Sequence, residues 1–452
     1  MTVNHADELS TLNQLGSFFF LCSVINPRDT QAMSNRPGRT WEEASGENNL
    51  QPGFKRVQCI PGVASSSTTP TSTSTSIGVS TSTIPVSTPT STSTSTGFVK
   101  TSGQKFILDG EDYVVAGTNA YWLAQVSDED IDTAFNDIVA AGLTTVRTMG
   151  FNDVTTPQEY GAYYQLWQNG TATFNTGAFG ISRFDAVIAS AKAHGIKLIV
   201  ALTNNWSDFG GMDVYVSQLN PGGTHDTFYT DEGVKEGYRN YVREFVGRYW
   251  DEEGVMAWEL ANEPRCTGST GTASAACDVT GSTIRDWAAE MSAYIKSIDP
   301  NHLVAIGDEG WFQWANPPTY PYAPGVGIDF DSNLEIETLD FGTFHCYPES
   351  WGQAANVSDW GKQWIIDHAN AQKATNKPVL VEEFGVLLSN QSTVYAGWWD
   401  EVVSSGLTGD LIWQAGSELS TGPSSDDGYA VYPGGSVYEI MEEAAVALKA
   451  RG

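Results

Sequence analysis

Two glutamates carry the chemistry that this sequence suggests. Glu263 lies in Ala261-Asn262-Glu263-Pro264, and Glu383 lies in Glu383-Phe384-Gly385, 120 residues later. Each follows a short apolar run of strand type, Val255–Leu260 and Pro378–Glu382. An acetal bond breaks when one group protonates the leaving oxygen and an anion meets the oxocarbenium-like carbon, so paired carboxyls with different pKa values suit glycoside hydrolysis. Arg147 beside one carboxyl would hold it ionised, and the other would have to keep its proton. Asn262-Glu263 on its own could be a helix N-cap with a first-turn Glu. The groups ending the other apolar runs argue against that: Asn119 and Trp122, Arg147, Asn204 with Asn205 and Trp206, Asp308 with Glu309, His345 with Tyr347, and Trp413. Glu382 competes with Glu383, and alternation along a strand predicts that the two neighbours face opposite sides.

The elements that must position these residues repeat one pattern: short apolar run, loop, amphipathic helix. Strands are predicted at 112–118, 144–148, 198–201, 255–260, 302–307, 341–344, 378–382 and 409–413. Helices are predicted at 128–141, with Ser127 as N-cap and Asp130 three residues on, at 183–194 with Ser182 as cap, and at 233–250. Further helices centre near Trp287, Trp364, Trp398 and Ala444. Eight strand–helix units in about 350 residues is the rhythm of an α/β protein of the (β/α)8 TIM-barrel class, whose active sites lie at the C-terminal ends of the strands.

The longer blocks sharpen this. Thr145–Asp153 (TVRTMGFND), Asn204–Gly211 (NNWSDFGG), Asn262–Cys266 (NEPRC) and Gly307–Gly310 (GDEG) resemble the fungal endo-β-1,4-mannanases of glycoside hydrolase family 5, over roughly 98–449. The resemblance implies Glu263 as acid/base and Glu383, rather than Glu382, as nucleophile. Arg147, Asn262, His345 and Tyr347 would support them, Trp413 would form a platform under the sugar, and Arg265 would grip the aglycone side. Asn204, Trp122, Trp206 and Glu309 would line or brace the cleft. It further implies a retaining mechanism with carboxyls about 5 to 5.5 Å apart, a mannan-type polysaccharide as substrate, and no metal or organic cofactor. The same chemistry on a β-glucan, and a catalytically inactive carbohydrate-binding barrel, are the alternative readings.

Composition bounds the rest. With 23 Lys+Arg against 54 Asp+Glu the net charge is −31, a field that repels phosphate backbones and anionic lipid surfaces, so nucleic-acid and membrane partners are not expected. The 15 Trp suit a neutral ligand held by stacking. No apolar stretch reaches membrane-spanning length. The chain divides into a poorly structured segment 1–63, a Ser/Thr-rich linker 64–97 and a catalytic domain 98–452. Between Ser65 and Thr96, 24 of 32 residues are Ser or Thr, none is charged and three are Pro, a composition that cannot bury a core and reads as a stalk. Lys55–Gly62 resembles the end of a small fungal cellulose-binding module, without the other cysteines and the aromatic face of a working one. Leu15–Ile25 has the length of a signal core, but its flank carries Asp7 and Glu8 and no Lys or Arg; secretion is nevertheless expected, as a monomer. Of five cysteines, Cys266 and Cys277 are close enough to bridge, and no cysteine follows Cys346. Sequons at Asn169, Asn356 and Asn390 are candidates for glycan, whereas Asn205 would sit in the cleft.

Overall fold

The computed structural model describes residues 97–269, 272–387 and 389–451. The expected signal core, the cellulose-binding-module remnant and the Ser/Thr tract lie outside the described residues. The eight expected strands form one parallel sheet: β1 (Ala116–Asn119), β2 (Thr145–Met149), β3 (Lys197–Ala201), β4 (Val255–Glu259), β5 (Leu303–Ala305), β6 (Gly342–Cys346), β7 (Val379–Phe384) and β8 (Gly409–Ile412). Their lateral order, β5-β4-β3-β2-β1-β8-β7-β6, wraps round, and backbone bonds from Asp340 N to Val304 O (2.9 Å) and His345 N to Glu309 O (3.3 Å) bridge the seam between β5 and β6. The result is a (β/α)8 barrel. Its strands are buried on both faces and accordingly read as apolar runs rather than alternating ones.

The helices cover the outside: α1 (Asp128–Ala140), α2 (Ile181–Ala193), α3 (Glu232–Tyr249), α4 (Ser282–Ile298), the short α5 (Phe330–Leu334), α6 (Val357–Thr375), α7 (Gln391–Ser405) and α8 (Ser436–Arg451). Local chemistry fixes their ends. Ser127 accepts the Asp130 N–H at 3.1 Å and Asp231 accepts that of Val234 at 3.0 Å, each satisfying an orphan donor of the first turn. The expected cap at Ser182 is corrected. Gly180 is the N-cap of α2, and the Ser182 hydroxyl lies inside the first turn, donating back to Gly177 O and Ala178 O.

The single strand expected over 112–118 is two elements. Glu111–Tyr113 closes a three-stranded antiparallel sheet with Lys100–Ser102 and Lys105–Leu108, and β1 starts only at Ala116. An unbroken apolar run cannot distinguish one strand from two joined at a bend. The small sheet packs Val99 and Phe106 against Ile199, Met256, Ala257, Leu303, Leu380 and Leu411 at the foot of the barrel. Thr408 donates to Gln104 O (2.7 Å) and Lys197 to Gly97 O (3.1 Å), which ties it to residues just ahead of β8 and at the start of β3.

Three buried aspartates give the fold a pH dependence. Burial pushes the carboxyls of Asp153, Asp308 and Asp410 up to about 7, against the hydrogen bonds that each accepts. A raised folded-state pKa means that the native form binds protons that the unfolded chain releases above the ordinary Asp range, near 4. This stability is therefore complete below about pH 4 and is lost as pH rises through about 7. The net charge of −31 acts in the same direction. The thermal midpoint is expected to fall by several degrees between pH 5 and pH 8, with a shallower slope in Asp410→Asn, as measured by calorimetry.

Candidate active site

Glu263 follows β4 and Glu383 lies near the end of β7. One carboxylate oxygen of each, with a ring nitrogen of His345, falls within 4.8 Å of the others. Glu263 takes up a left-handed backbone conformation, φ +50°, costly for a side chain other than Gly or Asn, and its N–H donates to Gly307 O at 2.9 Å. That approach needs Gly307 itself to be glycine: at φ +86°, a Cβ there would stand 2.2 Å from Ala261 O.

Arg147 on β2 is wholly buried and organises the floor. Its Nη1 donates to Glu383 (2.5 Å) and Asn119 (3.2 Å), its Nη2 to Asn262 (2.9 Å), and its Nε to Glu259 (2.7 Å). The Tyr347 hydroxyl donates to the other Glu383 oxygen at 2.9 Å. Glu263 lies between His345 Nδ1 (2.8 Å) and the indole N–H of Trp206 (2.5 Å). Asn204 links the third and fourth strand ends by accepting from Asn262 Nδ2 at 3.0 Å. Arg265 pairs with Glu309 through two bonds of 2.5 Å, and its guanidinium lies over the rings of Trp206 (5.2 Å) and Trp311 (5.0 Å). The loop carrying it is closed by a Cys266–Cys277 disulfide. Asp427 accepts the Trp413 indole N–H at 2.8 Å, and Tyr121 stacks on the Trp413 ring at 5.6 Å.

Two expectations are corrected. Trp122 was expected on the cleft wall but packs into the core at 3% exposure, because the 3-10 turn Leu123–Gln125 that follows buries Leu123 and Ala124 beside it. Its neighbour Tyr121 supplies the ring next to Trp413. Glu382 was expected on the face opposite Glu383, yet its carboxyl also reaches Arg147, at 3.5 Å. The register between β6 and β7 pairs Phe344 with Val381 and then His345 with Glu383, so Glu382 is an extra bulge residue and alternation fails there. Sequence reasoning also missed Glu259. The available signal was a carboxylate ending the otherwise apolar strand Val-Met-Ala-Trp-Glu.

Charge divides unevenly over the pair. Burial pushes Glu263 up, but the hydrogen bond and charge of His345, with Arg265, pull it down to about 2. Burial lifts Glu383 above the usual carboxylate range against the pull of His345 and Arg147. His345, despite its burial, is held protonated by Glu383, Glu263 and Glu382. These groups titrate as one unit. Glu383 touches a permanent cation, whereas the cation at Glu263 is a titratable imidazolium whose Nδ1 proton lies along a 2.8 Å contact.

The sequence profile described as GH family 5 β-mannosidase-like matches residues 96–396. The chain belongs to glycoside hydrolase family 5. This family 5 chain is 45% identical over 388 residues to the probable mannan endo-1,4-β-mannosidase F of Emericella nidulans, covering 85% of this chain and 86% of that one. It is 43% identical over 339 residues to mannan endo-1,4-β-mannosidase A of Aspergillus aculeatus, covering 74% and 86%. The crystal structure of the endo-1,4-β-mannanase from Rhizomucor miehei superposes with a TM-score of 0.73 at 37% identity, over 78% of this chain and all of that one.

Proposed function

We infer that this family 5 barrel is a retaining endo-β-1,4-mannanase. The observation that carries the mechanism is the closeness of Glu263 and Glu383, with oxygens within 4.8 Å. That closeness favours a retaining pair, about 5 to 5.5 Å apart, over an inverting pair that holds a water across roughly 6.5 to 9.5 Å. The choice of mannan rests on the relatives named above.

In the first step Glu383 attacks the anomeric carbon while Glu263 gives its proton to the departing glycosidic oxygen, and a glycosyl ester forms on Glu383. In the second, Glu263 takes a proton from water, the water oxygen attacks the same carbon, and Glu383 leaves as a carboxylate. The state competent for the first step has the proton on Glu263. Moving one proton from His345 Nδ1 to Glu263 creates that state and removes the cation that held Glu263 low, while Arg147 and Tyr347 keep donating to the Glu383 anion. Trp413 and Tyr121 offer apolar faces to sugar rings on one side, and Trp206 with Arg265 does so on the other.

Comparing reducing ends released from galactomannan and from carboxymethyl cellulose tests the substrate. Preference for the cellulose derivative would move the assignment to a glucanase of the same family, and no release from either would favour a binding barrel. Action on a polymer outside the cell, as a secreted monomer, accords with this reading. Asn169, Asn356 and Asn390 are exposed and open to glycan, whereas Asn205 is buried and bonded to His225 and Thr267.

The role given to His345 predicts a pH signature. Its charge lowers both catalytic carboxyls, and it holds the proton that Glu263 delivers. In His345→Asn the acid limb of the kcat/KM profile, set by Glu383, is expected to move to higher pH, and the basic limb to lower pH because that proton then rests on a carboxyl alone, together with a loss of rate. A profile that loses height without moving would contradict the role.

A further inference from the structure

Beneath the catalytic pair lie two more carboxyls that the cleavage steps do not use. Glu259 on β4 and Glu382 on β7 are fully buried. Arg147 Nε stands 2.7 Å from Glu259 and 3.5 Å from Glu382, and His345 Nε2 is 3.6 Å from the same Glu382 oxygen. The two carboxyls thus converge on one guanidinium nitrogen. Yet Glu259 Oε1, both Glu382 oxygens and His345 Nε2 are sealed from solvent and meet no well-formed hydrogen bond among the described residues.

Ionised carboxylates only accept hydrogen bonds. Two of them facing each other in a dry site would combine like-charge repulsion with unsatisfied acceptors, a cost that a single proton removes by turning one into a donor. A charge count leads to the same place. Four carboxyls (Glu259, Glu263, Glu382 and Glu383) surround two cationic groups, Arg147 and His345. With Glu383 ionised against Arg147, and one proton carried by Glu263 and His345 together, a fully ionised Glu259 and Glu382 would leave two buried negative charges in excess. One shared proton halves that excess. The other titratable groups facing the cluster are Asp308 and Glu309 after β5, Tyr347 after β6 and Arg265 after β4; Asp308 itself is pushed up by burial to about 7.

We propose that Glu259 and Glu382 hold one proton between them, and that this buried pair, through Arg147 and His345, sets the proton state of the catalytic carboxyls. Its members are positioning residues, since neither meets the sugar. Their environments are already split. Burial drives Glu259 well above the carboxylate range against the pull of Arg147, whereas Glu382, also lifted by burial, is brought down to about 2 by Arg147, Glu259 and His345. The control of catalysis rests on the mannanase reading; the shared proton does not.

The two parts can be tested separately. In E263Q/E383Q protein carrying 13C-glutamate, infrared spectroscopy at pH 7 should show the carbonyl band of a protonated glutamic acid, and adding Glu259→Gln should abolish it. Aspartates carry no label and do not contribute. No such band, as expected if a bound water supplies the missing donor, overturns the shared proton. In the active enzyme, Glu382→Gln keeps a donor toward Glu259 but removes the anion beside His345. The imidazolium then loses its proton more readily, and the basic limb of the kcat/KM profile, which reports that proton, should move down by about half a pH unit or more. Glu259→Gln leaves the anion on Glu382 and should shift that limb less. Equal shifts in the two variants, or none in Glu382→Gln, overturn the control of catalysis whatever the infrared result.

Discussion

A Glu383→Gln protein folds as its parent does and hydrolyses galactomannan slower by about 10⁴- to 10⁶-fold, the scale on which loss of a covalent nucleophile is felt. The amide has the volume of the carboxylate; its carbonyl oxygen can still accept from Arg147 Nη1, and its NH2 can donate to the Tyr347 hydroxyl oxygen. Packing is therefore preserved while nucleophilicity is lost. Single-turnover and steady-state rates on the same protein would show the loss in kcat rather than KM, because stacking on Trp413 and Trp206 is untouched. The stereochemistry of rescue separates the two glutamates. In Glu383→Ala, azide enters the vacated space and yields the inverted glycosyl azide. In Glu263→Ala, the ester on Glu383 still forms and azide returns the retained anomer. The same anomer from both variants would overturn the assignment of roles.

Arg147→Leu should be the most damaging substitution for stability. Arg147 is fully buried and contacts Glu259, Glu382 and Glu383 while holding Asn119 and Asn262 in place. Removing one side of a buried ion pair strands its partners, at a cost of about 3 to 5 kcal/mol. Here three carboxyls are stranded together, and a drop in thermal midpoint of roughly 10 °C is expected for a domain of this size. The sign with pH is distinctive. Carboxyls that lose their cation are raised further by burial, so the variant regains stability as they protonate on acidification, and the deficit against the parent should shrink from pH 7 to pH 4.5. A deficit constant across that range would mean that the loss is one of packing alone. Lysine does not restore the parent, because a point charge cannot serve five donors' worth of planar geometry.

Much of this architecture can be read from the residues before any coordinates. The strand bodies are apolar because both faces are buried, and the polar groups cluster at one end of each strand, so Glu263, Glu383, Arg147 and His345 could be expected at a common rim. What escaped has physical causes. The three-stranded sheet formed by Asp153–Val154, Gln165–Gln168 and Thr171–Phe174 is made of short, mixed segments that show neither period. The separation of Glu111–Tyr113 from β1 lies within one apolar run. Glu382 was turned to the wrong side because a bulge cancels the two-residue period at the one place where it mattered. Tyr121 and Trp122 are adjacent aromatics, and only the turn at Leu123 decides which one is swallowed by the core.

The plug of Val99 and Phe106 at the foot of the barrel has a consequence for the traffic of water. With that end stoppered by hydrocarbon, hydronium and hydroxide reach the carboxyl cluster from above, along the path that the polymer itself takes. A polysaccharide seated across the mouth is therefore expected to slow exchange of the protons around His345 with bulk solvent until the chain departs.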